Sequence, residues 1–196
     1  MVFPAFIDTN VLFGAYLCDT MLCLAEAGTY RPLWSPGVME ELERNLLVRG
    51  LPSEAITHRL AEMTSAFPDA QVTGYEALIE RMACDPKDKH VLAAAVRANA
   101  EVLVTFNDKH FPELATAPYD VVVVTPDDFL LDQLDLYPGI TVGALRAQAR
   151  GYKSPPMSVE ELLGYLARAQ VPNFAAEVQR HLPPLMQSAK GARSPR

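Results

Sequence analysis

Paired cysteines, histidine clusters and long apolar runs are all missing from this sequence, and each absence removes a class of protein. Three cysteines in 196 residues (Cys18, Cys23, Cys84) are an odd count without a C-x-x-C spacing. A disulfide framework is therefore excluded, and buried free thiols are expected. Four histidines (His58, His90, His110, His181) form no H-x-x-x-H pair and no Cys/His cluster. That removes the usual zinc ligands and leaves these histidines to surface or packing roles. The longest unbroken apolar runs, such as residues 91–96 and 121–124, are far too short to span a bilayer. The N-terminus lacks the charged, apolar and small-residue succession of a signal peptide, so a cytoplasmic protein with no membrane partner is expected.

What is present fits a globular chain. Apolar residues make up 49% and charged residues 21%, enough to bury a sizeable core. The formal net charge of −7 is unevenly spread: residues 1–135 carry 9 Lys+Arg against 21 Asp+Glu, a net of −12, whereas residues 136–196 carry 8 against 3, a net of +5. An acidic body with a basic appendage describes this distribution, and charge asymmetry alone identifies no ligand.

Periodicity and breakers give the organisation. Residues 2–7 read as a strand, residues 10–27 as a helix ending at Gly28, and residues 32–34 as a short strand. Ser35-Pro36 caps a helix to about Arg49, Ser53 is expected to cap another to Phe67, and residues 74–83 look helical. Asp85-Pro86 opens a helix through Asn99, followed by apolar strands at 102–106 and 121–125. Continuous apolar strands separated by helices indicate a parallel sheet covered on both faces, hence an α/β, Rossmann-like fold. Beyond Pro126 the pattern is helical only: 127–136, 141–150, a capping-box spelling at Ser158 leading to Gln170, and 173–182. The division expected is a body at 1–135, a helical extension at 136–186 and a disordered tail at 187–196.

Carboxylates sit where such a sheet builds its crevice, at the carboxyl ends of strands. Asp8 ends the first strand, as either a helix cap or a reagent. With Asp88 taken as the origin of a helical wheel, Val91, Leu92 and Ala95 fall on its side, so Asp88 is expected to face the core, where an ionised carboxylate needs a cation. A reciprocal cap with Asp85 is the plainer explanation. On the helix after Ser35, Glu41 borders the stripe of Val38, Leu42 and Leu46, while Glu40 points outward. Thr105, Asn107 and Asp108 close the 102–106 strand with groups that are also ordinary turn formers.

A strand ending in Asp8-Thr9-Asn10, a helix with Glu41-Leu42, the Asp85-Pro86-x-Asp88-x-x-x-Leu92 helix and the Val104-Thr105-x-Asn107 strand end together resemble the PIN-domain ribonucleases. The resemblance covers about residues 3–130, and the whole length is similar to VapC-type toxins with an added helical segment. It implies a catalytic set of Asp8, Glu41, Asp88 and Asn107. Many members have aspartate at the fourth position, so either Asn107 acts as a neutral group or Asp108 takes over as a metal ligand beside Asp8, Glu41 and Asp88. Carboxylates without histidine or thiolate select Mg²⁺ or Mn²⁺. The resemblance further implies endonucleolytic RNA hydrolysis by a metal-activated water, a cognate VapB-type antitoxin and a homodimer. Arg146, Arg150 and Lys153 are the candidates for contact with the RNA backbone. Two rivals are an aspartate-based phosphotransfer enzyme, which needs a second Asp where Asn10 stands, and an inactive PIN fold serving as an RNA-binding or regulatory module.

Overall fold

A computed structural model describes residues 2–182. The tail expected at 187–196, and the last four residues of the expected extension, lie outside the described residues. Four parallel strands form one sheet in the order β2-β1-β3-β4: β1 (Pro4–Ile7), β2 (Arg31–Leu33), β3 (Val102–Val104) and β4 (Val122–Val124). Registers are short, Ala5 pairing with Pro32 on one side and Val102 on the other, and Leu103 with Val123. The chain builds outward from β1 to β2, then returns across β1 to reach β3. The direction of winding therefore reverses between β1 and β3, and the crevice lies at their carboxyl ends.

Apolar continuity explains the burial: Ala5, Phe6 and Ile7 are fully enclosed, as are Leu103 and Val104. The expected helix over 10–27 is in fact two, α1 (Thr9–Phe13) and α2 (Ala15–Glu26), parted at Gly14, whose backbone is extended (φ −75°, ψ 121°). The carbonyls left unpaired by the break are taken by a cation. Arg59, on α4 (Ser53–Ala66), donates to Leu12 O at 2.6 Å and Phe13 O at 3.4 Å. Ser35 caps α3 (Pro36–Val48) as expected, accepting from the Val38 N–H. Ser53 does not cap α4; Pro52 occupies that place without a side-chain bond. The span read as a helix at 74–83 is only a 3₁₀ turn at Glu76–Arg81. The helix expected from Asp85 begins later, as α5 (Lys89–Arg97). Pro86 and the Asp85 carboxylate, which accepts the Lys87 N–H, hold residues 85–88 in a turn instead.

After the short α6 (Glu113–Thr116) and β4, four helices follow: α7 (Pro126–Leu136), α8 (Pro138–Gly151), α9 (Val159–Arg168) and α10 (Pro172–His181). The Ser158/Glu161 capping box is fully formed. Helix α8 docks on α2 through polar bonds, Thr20 donating to Gln148 and Gln148 to the Tyr16 carbonyl. Tyr16 stacks on Tyr165 of α9 with centroids 4.3 Å apart. No helix among the described residues is long and apolar enough to cross a membrane.

Helices α7 and α10 are joined by one buried carboxylate. Asp127 accepts from the Asn173 and Phe174 backbone N–H groups and from the Asn173 side-chain amide, at 2.8–3.2 Å. It thereby satisfies donors at the start of α10 from outside that helix. Asp127→Ala should lower the unfolding free energy by about 2–3 kcal/mol, because those donors are left buried and unpaired. Urea denaturation measures this, and a loss within experimental error would show the clamp to be unimportant.

Candidate active site

Asp8 leaves β1 at the winding reversal, and of the two readings of its position the helix cap is formed. As the N-cap of α1 it accepts the Thr9 N–H on Oδ1 at 2.7 Å. Its Oδ2 accepts from Asn10 Nδ2 at 2.7 Å and from the Thr105 hydroxyl at 2.6 Å. Oδ2 is thus saturated, and Oδ1 keeps one lone pair. The donors are themselves fixed: Asn10 Oδ1 accepts the Phe106 N–H, and Thr105 Oγ1 accepts the Asn107 N–H. The triplet Asp8-Thr9-Asn10 is therefore a local device that stitches the end of β1 to the loop after β3.

Glu41 is where the wheel put it. Val38, Leu42 and Leu46 are buried, Glu40 is exposed, and Glu41 is half-buried with its Oε2 accepting from the Thr9 hydroxyl at 3.0 Å. Asp88 needs a correction. It precedes α5 at the N-cap position, not inside the helix, so the helical phase that aimed it at the core does not apply. It makes no side-chain cap bond, and the reciprocal cap with Asp85 is absent. The Asp88 carboxylate instead accepts from His110 Nδ1 at 2.6 Å.

A cleft of about 270 Å³ collects Asp8, Glu41, Asp88 and Asn107, with Thr9 and Asn10 on its wall and Phe13 and Asn45 at its side. Asp108 opens a 3₁₀ turn and lines a different cavity, against the edge strand β4. Among the described residues, no lysine, arginine or histidine lines the cleft. Burial, and then the negative charges of Asp88 and Glu41, raise the Asp8 carboxyl above its ordinary value, while the bonds from Thr105 and the Thr9 N–H pull it back. Such a donor set, all oxygen and short of positive charge, fits a hard divalent cation. Beside it, Asp85, Asp88 and His110 bring ligand atoms within 4.8 Å of one another.

Asn45 and His110 are not among the site residues expected from the sequence, and Thr105 enters there only as part of the Val104-Thr105-x-Asn107 strand end. Asn45 had a signal, lying one turn beyond Glu41 on the same helical face. His110 had none, because its partner is 22 residues away and only the turn at 85–88 brings them together. Arg146 and Arg150, one turn apart on α8, and Lys153 beyond it are exposed, and among the described residues none of them forms a salt bridge.

The PIN domain family matches residues 4–125 and the VapC50 C-terminal domain family matches residues 126–180. The chain is 47% identical over 131 residues to a Mycobacterium tuberculosis protein named "Putative ribonuclease VapC50", covering 67% of this chain and 75% of that protein. No solved structure matches.

A raised carboxyl pKa means that the folded protein favours protonated Asp8. That contribution to stability is full below the unfolded pKa, about 3.9, and is lost as pH rises through the folded value. Thr105→Val removes the strongest support of the carboxylate and should move the Asp8 titration further upward, read by carboxyl ¹³C NMR on the metal-free protein. A midpoint that stays or falls would contradict this reading of the site.

Proposed function

The chain belongs to the PIN-domain family, and on that premise we propose that it is an endoribonuclease using Mg²⁺ or Mn²⁺ held by Asp8, Glu41 and Asp88. The carrying observation is that these three carboxylates line one cleft in which, among the described residues, no cationic side chain takes part. The relative named as a ribonuclease supports the reaction class. A divalent ion bound there would neutralise phosphate charge, lower the pKa of the attacking water and stabilise the leaving alkoxide.

The chain's own residues divide the remaining work. Asp8, immobilised through Oδ2, presents the free lone pair of Oδ1. Thr9 holds Glu41 by its hydroxyl, which bonds the glutamate at 3.0 Å in preference to the Val38 carbonyl at 3.4 Å. Asn107, whose backbone is pinned by Thr105, offers a neutral amide to the substrate phosphate, and we assign it the fourth family position in place of Asp108. On this reading the scissile phosphodiester lies between the carboxylates and the Asn107 amide, with hydrolysis leaving 5′-phosphate and 3′-hydroxyl ends.

Charge dictates where the rest of the RNA goes. An acidic body repels a polyanion, so Arg146, Arg150 and Lys153, free of ion pairs among the described residues, are assigned to backbone phosphates. The same reading makes the protein the toxin of a VapB–VapC-type pair, active in the cytoplasm, inhibited by its antitoxin and assembled as a homodimer. The apolar groove lined by exposed Val122 and Leu136 offers a surface for a protein partner.

Two measurements test this. Glu41→Gln keeps the acceptor for Thr9 but removes a charge from the site, so Mn²⁺-dependent RNA cleavage should fall by about 100-fold or more, whereas exposed Glu40→Gln should stay within about twofold. Equal activities would remove Glu41 from the catalytic set, and an absence of Mn²⁺-dependent cleavage by the unmodified protein would favour the inactive RNA-binding module. Replacing Arg146, Arg150 and Lys153 together with alanine should make the log–log salt dependence of single-stranded RNA binding shallower by up to about 2. An unchanged slope would remove α8 from the RNA path.

A further inference from the structure

Asp88 poses a problem that its neighbours solve. It stands before α5, and although its backbone carbonyl accepts the Val91 and Leu92 N–H groups, its side chain bonds none of that helix's N–H groups, so the helix does not orient its carboxylate. The one side-chain partner among the described residues is His110, whose Nδ1 lies 2.6 Å from Asp88 Oδ2. An ionised carboxylate can only accept, so Nδ1 carries the hydrogen. The side chain of Asp88 is 16% exposed and that of His110 44%, which places the imidazole on the outer side of the acid.

The backbone of the same residue ties two loops together. His110 O accepts the Asp85 N–H at 3.0 Å, and His110 N–H donates to Asn107 O at 2.8 Å. One residue thus links the turn that carries Asp88 to the loop that carries Asn107, both of which line the cleft. We propose that His110 is a positioning residue, which engages Asp88 Oδ2 from outside and thereby leaves Oδ1 facing the cation site. Side chains that orient metal ligands in this way commonly change metal affinity by about 10–100-fold. The inference rests on the cation-holding role proposed for Asp88.

Calorimetric Mn²⁺ titration of the full chain tests it, with unfolding of each metal-free variant recorded alongside. His110→Ala should weaken Mn²⁺ binding by about 10–100-fold without changing the number of ions bound. His110→Asn, whose Nδ2 can take the place of Nδ1 as donor, should recover affinity to within about threefold of the wild type. In an Asp88→Asn background, His110→Ala should have little further effect, because the two act as one unit. Should His110→Ala fail to fold, His110→Gln replaces it: its donor is displaced by a methylene, so weaker binding than His110→Asn supports the proposal and equal binding overturns it. Wild-type affinity in His110→Ala, additive losses in the double variant, or the loss of one bound ion would each overturn it, the last by making His110 a ligand. Asp8→Asn separates the two levels of the argument. If it leaves wild-type Mn²⁺ binding intact, the cation reading fails and the positioning role with it; if it abolishes binding while His110→Ala does not weaken it, only the positioning role fails.

Discussion

A carboxylate taken out of water at the end of a buried strand is the constraint on which the rest depends. Asp8 is 3% exposed, and burying its charge costs several kcal/mol unless it is compensated. Three donors supply part of that compensation, and each comes from a residue with a second task. Thr9 begins α1 and holds Glu41; Asn10 grips the loop after β3; Thr105 fixes the backbone of Asn107. The sheet order brings these groups together, because reversal of winding between β1 and β3 sets their carboxyl ends side by side. Hydrogen bonds alone leave the Asp8 carboxyl raised, with Asp88 and Glu41 adding like charge. The fold therefore stores a deficit of positive charge at one cleft, which a divalent ion is suited to meet.

The helical extension is attached close to that deficit. Helix α2 starts two residues beyond Phe13, at the side of the cleft, and it is α2 that receives α8 through Thr20 and Gln148 and α9 through the Tyr16–Tyr165 stack. At the other end α10 is locked to α7 by Asp127. Arg146 and Arg150 are thus carried on a helix fastened to the same element that follows the cleft, outside the acidic site itself. Lysine or arginine among the carboxylates would compete with a metal; at a distance, the same charges serve a polyanion.

The legible part of the molecule was the part encoded by local pattern. Apolar runs revealed the strands, Ser35-Pro36 and Ser158-x-x-Glu161 revealed helix starts, and the stripe of Val38, Leu42 and Leu46 separated Glu41 from Glu40. Failures came where a single residue overrode periodicity. Gly14 splits one apolar segment into two helices because Arg59, 45 residues away, satisfies the exposed carbonyls. Pro86 and the Asp85 side chain delay α5, which moves Asp88 from a helical face to a turn and makes His110 its partner. Long-range bonds of this kind leave no spacing to read, so the sequence offers no sign that the Thr105 hydroxyl bonds Asp8 or that His110 bonds Asp88.

The central claim is that Asp8, Glu41 and Asp88 hold one divalent cation in common. Anomalous diffraction from crystals soaked in Mn²⁺ tests it most directly. The account predicts a peak in the cleft within direct coordination distance, about 2–2.5 Å, of carboxylate oxygens from all three residues. A peak bound only by Asp85 and His110, or no peak in the cleft at Mn²⁺ concentrations that support RNA cleavage, would contradict it.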